Sequence, residues 1–197
     1  MPDSSFRVGG FVPFTSIDYP GELAAVVFCQ GCPWRCHYCH NRHLLPANGH
    51  ELLNWRKILE ALEQRRGYID AVVFSGGEPL AQAALERAIS SVKDLGFKVG
   101  LHTAGCYPQR LKKLLPLLNW VGLDIKQLPN HYATITGIAG SGEQAWQSLE
   151  FLVEAGTPLQ VRTTCFPGIP DDHLKDLTRQ LAEMGVCDHR IQEYRAP

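Results

Sequence analysis

The stretch CPWRCHYC, residues 32–39, places three cysteines within eight positions, directly after the apolar run of residues 23–28. Cys32, Cys36 and Cys39 have the spacing C-x3-C-x2-C, and we call residues 32–39 the cysteine loop. The number three is informative, because a structural zinc site is closed by four ligands and a ferredoxin-type cluster also takes four cysteines. Three close cysteines can instead hold a 4Fe–4S cluster and leave one iron free for a substrate or cofactor.

A zinc site is the main alternative for this loop, and it would make the protein a zinc-stabilised interaction domain rather than an enzyme. Cys29, His37 or His40 could supply the fourth ligand that zinc requires. We interpret Cys29 instead as a buried thiol, because the other residues of its run are apolar. Disulfide pairing fits poorly, since seven cysteines is an odd number and residues 1–10 do not form an apolar signal peptide.

Composition and charge limit the function classes that remain. The 197 residues are 45% hydrophobic and 20% charged, as in ordinary globular proteins. They suffice for a single domain, residues 1–197, with residues 1–21 as an N-terminal lead-in. The net charge of −1 and the lack of a long basic run argue against a nucleic-acid partner. The longest apolar run, residues 23–29, is too short to cross a membrane, so we expect no membrane partner and a cytoplasmic location.

Apolar and amphipathic segments alternate along the rest of the chain. Amphipathic periodicity predicts five helices, the first over residues 54–66 with Asn54 as its N-cap, and Pro116 should bend or shorten the third. Strands that alternate with helices predict an α/β fold with a parallel sheet. Six strands are fewer than the eight of a closed barrel, so we expect a partial (β/α)6 barrel of the TIM type, with a doubly wound sheet as the alternative. The predicted strands are residues 23–28, 71–74, 97–102, 120–125, 159–164 and 190–193. Residues 127–142 are expected to be a polar loop that is long enough to be functional.

Polar motifs follow these strands at their carboxyl ends. The segment SGGEP, residues 75–79, comes after the second strand, and residues 103–105 come after the third. Asp124 and Lys126 lie at the end of the fourth strand, and residues 162–164 lie in the fifth. In a parallel β/α barrel these strand ends share one face, where ligands bind. We therefore expect the motifs and the cysteine loop to form one site.

The cysteine loop and the segment SGGEP together resemble the signature of radical S-adenosylmethionine (SAM) enzymes, down to the aromatic Tyr38 before the last cysteine. The resemblance agrees with a partial barrel fold. It implies one 4Fe–4S cluster held by Cys32, Cys36 and Cys39, with SAM bound at the fourth iron. Because such cofactors carry the reaction themselves, we assign no side chain as an essential acid or base.

The resemblance also implies contacts between SAM and the segment SGGEP. Gly76 and Gly77 lack Cβ atoms, so their backbone can approach a ligand closely. Glu78 is expected to accept hydrogen bonds from the methionine ammonium group.

Other implied contacts come from the cysteine loop and from the next two strand ends. Lys126 suits the methionine carboxylate, and either Asp124 or Thr103 suits a ribose hydroxyl. Tyr38 should lie near the adenine. These roles follow from the family signature and not from the spacing of the residues.

Beyond these motifs the chain resembles the activating enzymes of glycyl-radical proteins, and it is most similar to the activating protein of anaerobic ribonucleoside-triphosphate reductase. The resemblance implies reductive cleavage of SAM and formation of a glycyl radical on a partner protein, here the anaerobic ribonucleotide reductase. It also implies a flavodoxin- or ferredoxin-type electron donor. The stretches that carry the resemblance span nearly the whole chain, namely residues 9–13, 18–21, 27–41, 75–80, 103–105, 123–127 and 162–168.

Two residues and one alternative activity complete the expectations. His102 stands where activating enzymes of the pyruvate formate-lyase type have an acid, so the resemblance assigns His102 no contact. Trp34 is expected to be exposed in the cysteine loop, where it could cover the cluster or meet a partner.

The second enzyme hypothesis is a radical SAM enzyme acting on a small molecule, such as a 7-carboxy-7-deazaguanine synthase, which would need a closed polar pocket.

Overall fold

The computed structural model describes residues 6–49 and 51–194, whose strands form one seven-stranded sheet. The first two strands are antiparallel to each other, and every later pair is parallel. The strands are β1 (Val8–Thr15), β2 (Ala24–Cys29), β3 (Ala71–Gly76), β4 (Lys98–Thr103), β5 (Trp120–Asp124), β6 (Leu159–Cys165) and β7 (His189–Glu193).

The order of the strands distinguishes between the two predicted architectures. Each strand pairs with the strand that follows it in the sequence, so the order across the sheet is β1 to β7. A doubly wound sheet would instead reverse its strand order at a switch point. The six parallel strands β2 to β7 therefore confirm the partial barrel, and the doubly wound alternative is wrong. In the described part of the chain the sheet is open, with β1 and β7 at its two edges.

The edge strand β1 lies within the N-terminal lead-in, where no strand is predicted. It pairs with β2, and its Val8 carbonyl accepts a hydrogen bond of 2.8 Å from the Leu53 amide. Gly9, Gly10 and Pro13 weaken the strand signal in the sequence, yet an edge strand tolerates proline because one side of it needs no ladder hydrogen bonds. The lead-in thus contributes to the sheet, while residues 1–5 lie outside the described residues.

Each of the five predicted helices is present, and the structure adds a short sixth. The added helix lies in residues 127–142, which were expected to be a long polar loop. The helices are α1 (Trp55–Glu63), α2 (Leu85–Asp94), α3 (Pro108–Leu114), α4 (Tyr132–Thr136), α5 (Ser141–Glu154) and α6 (Asp171–Glu183). Pro116 lies in a 3-10 turn, Leu115–Leu117, that ends α3 as expected. None of the helices in residues 6–49 and 51–194 has the length and apolar character required to span a membrane.

The two faces of the sheet carry two separate apolar clusters. Alternate strand residues point to opposite faces. Residues such as Val72 pack with Ile89 of α2 and Leu149 of α5 in the larger cluster, beneath the helices. Val26 and Val73 belong to the smaller cluster on the inner face of the barrel. Coverage on both faces explains why a strand such as β2 is a continuous apolar run in the sequence.

The inner face is filled by aromatic side chains below the strand ends. The ring centroids of Tyr19 and Trp120 are 5.1 Å apart. Gly100 makes room for Tyr19, because a Cβ atom there would lie 3.0 Å from the tyrosine ring. A Cβ atom at Gly122 would lie 2.9 Å from Trp120 and 3.0 Å from His102. The barrel is therefore packed in its lower half, and space for a ligand lies at the carboxyl ends of the strands.

The N-cap of α1 provides a test of the fold. The Asn54 side chain accepts hydrogen bonds from the amides of Arg56 and Lys57, at 2.9 and 3.3 Å. We expect Asn54→Ala to lower the free energy of unfolding by about 1 kcal/mol, because those amides lose their partner. Asn54→Asp keeps an acceptor oxygen and should stay close to the wild type. Urea unfolding followed by circular dichroism measures both variants, and equal losses would contradict the capping role.

Candidate active site

A cavity of about 250 Å³ lies between the cysteine loop and the carboxyl ends of β3 to β7. It brings together the residues that the sequence predicts for one site, with the exception of Glu78. The predicted residues that line it are Cys32, Cys36, Tyr38, Cys39, Gly76, Gly77, Thr103, Asp124 and Lys126. Further lining residues come from strand positions without an assigned role, namely Ser75, His102, Arg162, Thr164 and Gln192.

The cysteine loop is held in place by the short helix α4. The amides of Arg35 and His37 donate hydrogen bonds to the carbonyls of Thr136 and Ile135, at 2.9 and 3.1 Å. Trp34 is only 2% exposed and packs edge-on against Tyr132 of α4, with ring centroids 5.9 Å apart. The expectation that Trp34 is exposed is therefore wrong, because α4 lies in a segment that was predicted to be a loop.

The thiols of the cysteine loop are partly buried and free of disulfides. Burial raises the pKa of Cys32 to about 12 and raises that of Cys36, although Lys126 lowers both. Because only thiolates bind iron, loading this loop with metal must release protons. No three His, Cys, Asp or Glu side chains among the described residues converge closely enough for a single metal ion.

Cysteines outside the loop differ in their surroundings. Cys29 is fully buried in β2, which confirms that it is a buried thiol. Cys106 is also buried and lies beside Glu78. Cys165 is half-buried at the end of β6, and Cys187 is exposed.

Gly76 and Gly77 let the end of β3 approach the start of the cysteine loop. Gly76 has a φ of +105°, and a Cβ atom there would lie 2.6 Å from the Cys29 amide nitrogen. A Cβ atom at Gly77 would lie 2.4 Å from the Gly31 carbonyl oxygen. The Glu78 amide donates to that same carbonyl at 2.9 Å. The glycines are therefore required by contacts within the chain, in addition to any contact with a ligand.

Glu78 is fully buried and does not line the cavity. One carboxylate oxygen accepts hydrogen bonds from the Leu80 amide at 3.0 Å and the Thr103 hydroxyl at 2.7 Å. The other accepts from the Ala104 amide at 2.9 Å and the Cys106 thiol at 3.3 Å. Burial raises the pKa of Glu78, while these donors lower it. In this structure Glu78 ties the end of β3 to the end of β4 through these four hydrogen bonds, and the expected contact with the methionine ammonium group stays a prediction.

Three charged side chains form the opposite wall of the cavity. Asp124 accepts from Arg162 at 3.0 and 3.1 Å, and it lies 3.7 Å from the Lys126 ammonium group. Burial alone would raise the pKa of Asp124, but Arg162 and Lys126 lower it below its ordinary value. Burial also opposes the charge of Lys126, yet Tyr38 and Asp124 hold its pKa well above the usual range. Two cations and one anion leave this wall with a net positive charge, which suits an anionic group of a ligand.

Tyr38 carries a polar atom for which the described chain provides no well-placed partner. The residue is 8% exposed and stacks on Phe166, with ring centroids 4.9 Å apart. Its hydroxyl is buried near the Lys126 ammonium group, but no hydrogen bond of good geometry satisfies it among the described residues. A buried hydroxyl left unpaired is costly, so a bound ligand that supplied a partner would be favoured. Together with three free thiols and a positive wall, this hydroxyl makes the cavity a suitable site for a 4Fe–4S cluster and SAM.

Arg162 and Gln192 show what the sequence could and could not indicate about the site. Residues 162–164 were expected at the site because they lie at a strand end, and this position in the strand was the signal for Arg162. Nothing in the sequence indicated that Gln192 lies at the site. The sheet face on which a strand residue lies depends on how the strand pairs with its neighbour, and this register cannot be read from the sequence. The pairing of Thr164 with Gln192 places both on the inner face.

Comparisons with known proteins agree with this site. The sequence model of the radical SAM superfamily matches residues 26–181 of the chain. The chain therefore belongs to the radical SAM superfamily, and it is an enzyme that uses a 4Fe–4S cluster and SAM. The structure resembles that of SuiB from Streptococcus suis bound to SAM, with a TM-score of 0.70 and 13% identity. The match covers 85% of this chain but only 39% of SuiB, and it supports the fold alone.

Proteins of similar sequence indicate to which group within the superfamily the chain belongs. The chain is 32% identical to the pyruvate formate-lyase-activating enzyme of Clostridium pasteurianum, over 85% of this chain and 71% of the relative. It is 29% identical to a candidate glycyl-radical enzyme activating enzyme of Methanocaldococcus jannaschii, over 95% of this chain and 79% of the relative. Within the superfamily the chain thus belongs to the activating enzymes of glycyl-radical enzymes, as its sequence motifs predicted.

The close approach at Gly76 predicts a large effect of adding one methyl group. Gly76→Ala forces an L-residue into a positive φ and places its Cβ against the backbone of Cys29, so we expect a loss of roughly 3 kcal/mol or more in unfolding free energy. Gly96 has a φ of +91° with nothing within 4 Å of its Cβ position, so Gly96→Ala should cost only about 1–2 kcal/mol. Urea unfolding compares the two. A similar loss in both would show that the contact with Cys29 is unimportant.

Proposed function

We propose that this chain activates an anaerobic ribonucleoside-triphosphate reductase by generating a glycyl radical on it. The observation that carries the proposal is that three free cysteines of a C-x3-C-x2-C loop line one cavity together with Gly76 and Gly77. Membership of the activating-enzyme family identifies the type of reaction. The choice of the reductase over other glycyl-radical enzymes rests on the stretches along the chain that resemble its activating protein.

Cys32, Cys36 and Cys39 would hold the cluster through their thiolates. When bound, the cluster supplies the electron for reductive cleavage of SAM, which yields the oxidant that removes a hydrogen atom from the glycine. No residue of the chain needs to act as an acid or base in this reaction. The chain positions the reactants and keeps water away from them.

The remaining lining residues would hold SAM. The exposed backbone at Gly76 and Gly77 and the unpartnered hydroxyl of Tyr38 offer polar contacts, and Lys126 offers a cation for the carboxylate. Asp124 suits the ribose better than Thr103 does, because the Thr103 hydroxyl already donates to Glu78.

The open sheet is consistent with a protein substrate. β1 and β7 are both edges of the described sheet, so the cavity is not enclosed by a complete barrel. A partner loop that carries a glycine could therefore reach the cavity from the side of β7, where Gln192 forms part of the wall. We place the activity in the cytoplasm with a flavodoxin- or ferredoxin-type donor, because free cysteines persist in a reducing compartment.

Electron paramagnetic resonance tests the proposed partner. The reconstituted enzyme is incubated anaerobically with SAM and a reductant, together with anaerobic ribonucleotide reductase, with pyruvate formate-lyase, or with neither. We expect a glycyl-radical signal with the reductase. A signal with pyruvate formate-lyase alone would make the partner assignment wrong and leave the activating function intact. SAM cleavage without a signal on either protein would favour a small-molecule substrate.

Two cysteine variants test the proposed ligands. Cys36→Ala should lose the absorbance of the cluster and reduce SAM cleavage to background, because the cluster is left with two thiolates. Cys165→Ala should retain both, since Cys165 does not line the cavity. Iron analysis, absorbance spectra and chromatographic detection of SAM cleavage provide the measurements. Equal losses in the two variants would contradict the assignment of Cys36 as a ligand.

A further inference from the structure

His102 lies at the end of β4 and lines the cavity, yet the family signature gives it no role. It is only 8% exposed, and both of its ring nitrogens have partners. Nε2 is 2.8 Å from the backbone carbonyl oxygen of Asp18, and Nδ1 is 3.3 Å from the Ser75 hydroxyl oxygen. The imidazole thus links the N-terminal lead-in to the end of β3.

The partners of the ring determine its tautomer. A backbone carbonyl can only accept, so Nε2 of His102 must carry the proton that is donated to Asp18. Burial lowers the pKa of His102 to about 4, and the nearby Arg162 also lowers it, while Asp124 raises it. The ring is therefore neutral near neutral pH, and its Nδ1 is an acceptor.

The tautomer in turn fixes the hydroxyl of Ser75. Because Nδ1 of His102 can only accept, the Ser75 hydroxyl must donate its single proton to it. The lone pairs of the Ser75 oxygen are then left for other donors, and Ser75 itself lines the cavity. No other side-chain hydrogen bond of Ser75 competes for that proton among the described residues.

We propose that His102 is a positioning residue that holds the Ser75 hydroxyl as a hydrogen-bond acceptor for a donor group of bound SAM. This inference rests on the cofactor of the enzyme and not on the identity of its protein partner. A neutral imidazole and a hydroxyl thereby provide an acceptor in the cavity without adding a negative charge.

Residues of the N-terminal lead-in hold the imidazole of His102 in place. The Thr15 hydroxyl donates to the Asp18 carboxylate at 2.6 Å, which closes the turn that presents the Asp18 carbonyl. Tyr19 is buried against Trp120, and Trp120 in turn meets His102 edge-on with ring centroids 5.4 Å apart. These contacts pack the ring of His102 from the side of the lead-in and oppose a rotation that would turn its Nδ1 away from Ser75.

Nuclear magnetic resonance of the holoenzyme labelled with ¹⁵N-histidine tests the tautomer directly. We expect His102 at neutral pH to be a neutral ring with its proton on Nε2. A proton on Nδ1, or on both nitrogens, would overturn the inference, because Ser75 would then no longer be forced to donate to the ring. This readout does not depend on activity or on any partner protein.

A double-mutant cycle on SAM affinity tests the coupling of the two residues. We expect Ser75→Ala and His102→Leu each to weaken binding about tenfold, and the double variant to weaken it about tenfold rather than about a hundredfold. His102→Asn keeps an acceptor near the position of Nδ1 and should bind more tightly than His102→Leu. Ser90→Ala, on the exposed side of α2, is the control for removal of a serine hydroxyl.

Calorimetric titration of the reconstituted enzyme under anaerobic conditions gives these affinities. Additive losses in the double variant, or a Ser75→Ala variant with unchanged affinity, would overturn the inference. If His102→Leu does not fold, the SAM affinity of Ser75→Ala and the tautomer of His102 in the wild type still test the inference. Normal SAM binding with no glycyl radical on any partner would instead refute the proposed function and leave this inference standing.

Discussion

The site depends on the close approach between the backbone of β3 and the chain that leaves β2. A Cβ atom at Gly76 would collide with the Cys29 amide, and one at Gly77 would collide with the Gly31 carbonyl. Because neither glycine has a side chain, the amides of Gly77 and Glu78 donate to the carbonyls of Cys29 and Gly31, both at 2.9 Å. These contacts hold the cysteine loop over the strand ends, so that the thiols share one cavity with Gly76, Gly77 and Lys126, which are predicted to contact SAM.

The charge of the cavity depends on which charged side chains face it, and not only on the net charge of the chain. The chain as a whole has a net charge of −1, but the wall formed by Asp124, Lys126 and Arg162 is positive. Glu78 lies close by and would oppose that charge if it faced the cavity. Four hydrogen-bond donors of the chain engage its carboxylate instead, which makes Glu78 part of the scaffold.

The parts that the sequence predicted well were those with a local signal. Continuous apolar runs marked strands such as β2 and β3, and Asn54 marked the start of α1 because capping involves only the next few amides. The strand β1 was missed, since its glycines and Pro13 conceal a pattern that only pairing with β2 stabilises. The burial of Trp34 was missed for a similar reason: its cover, Tyr132 of α4, is about a hundred residues away in the chain.

The sequence by itself predicted the parallel α/β fold and the cysteines as cluster ligands, and the resemblance of its short motifs identified the family. Short motifs and apolar periodicity are local properties of the chain, so they can be read without the fold. Folding in three dimensions settled the sequential strand order and the burial of Glu78. It also brought Gln192 to the cavity and His102 between Asp18 and Ser75. Such contacts join residues far apart in the chain, and strand register and packing determine which of them meet.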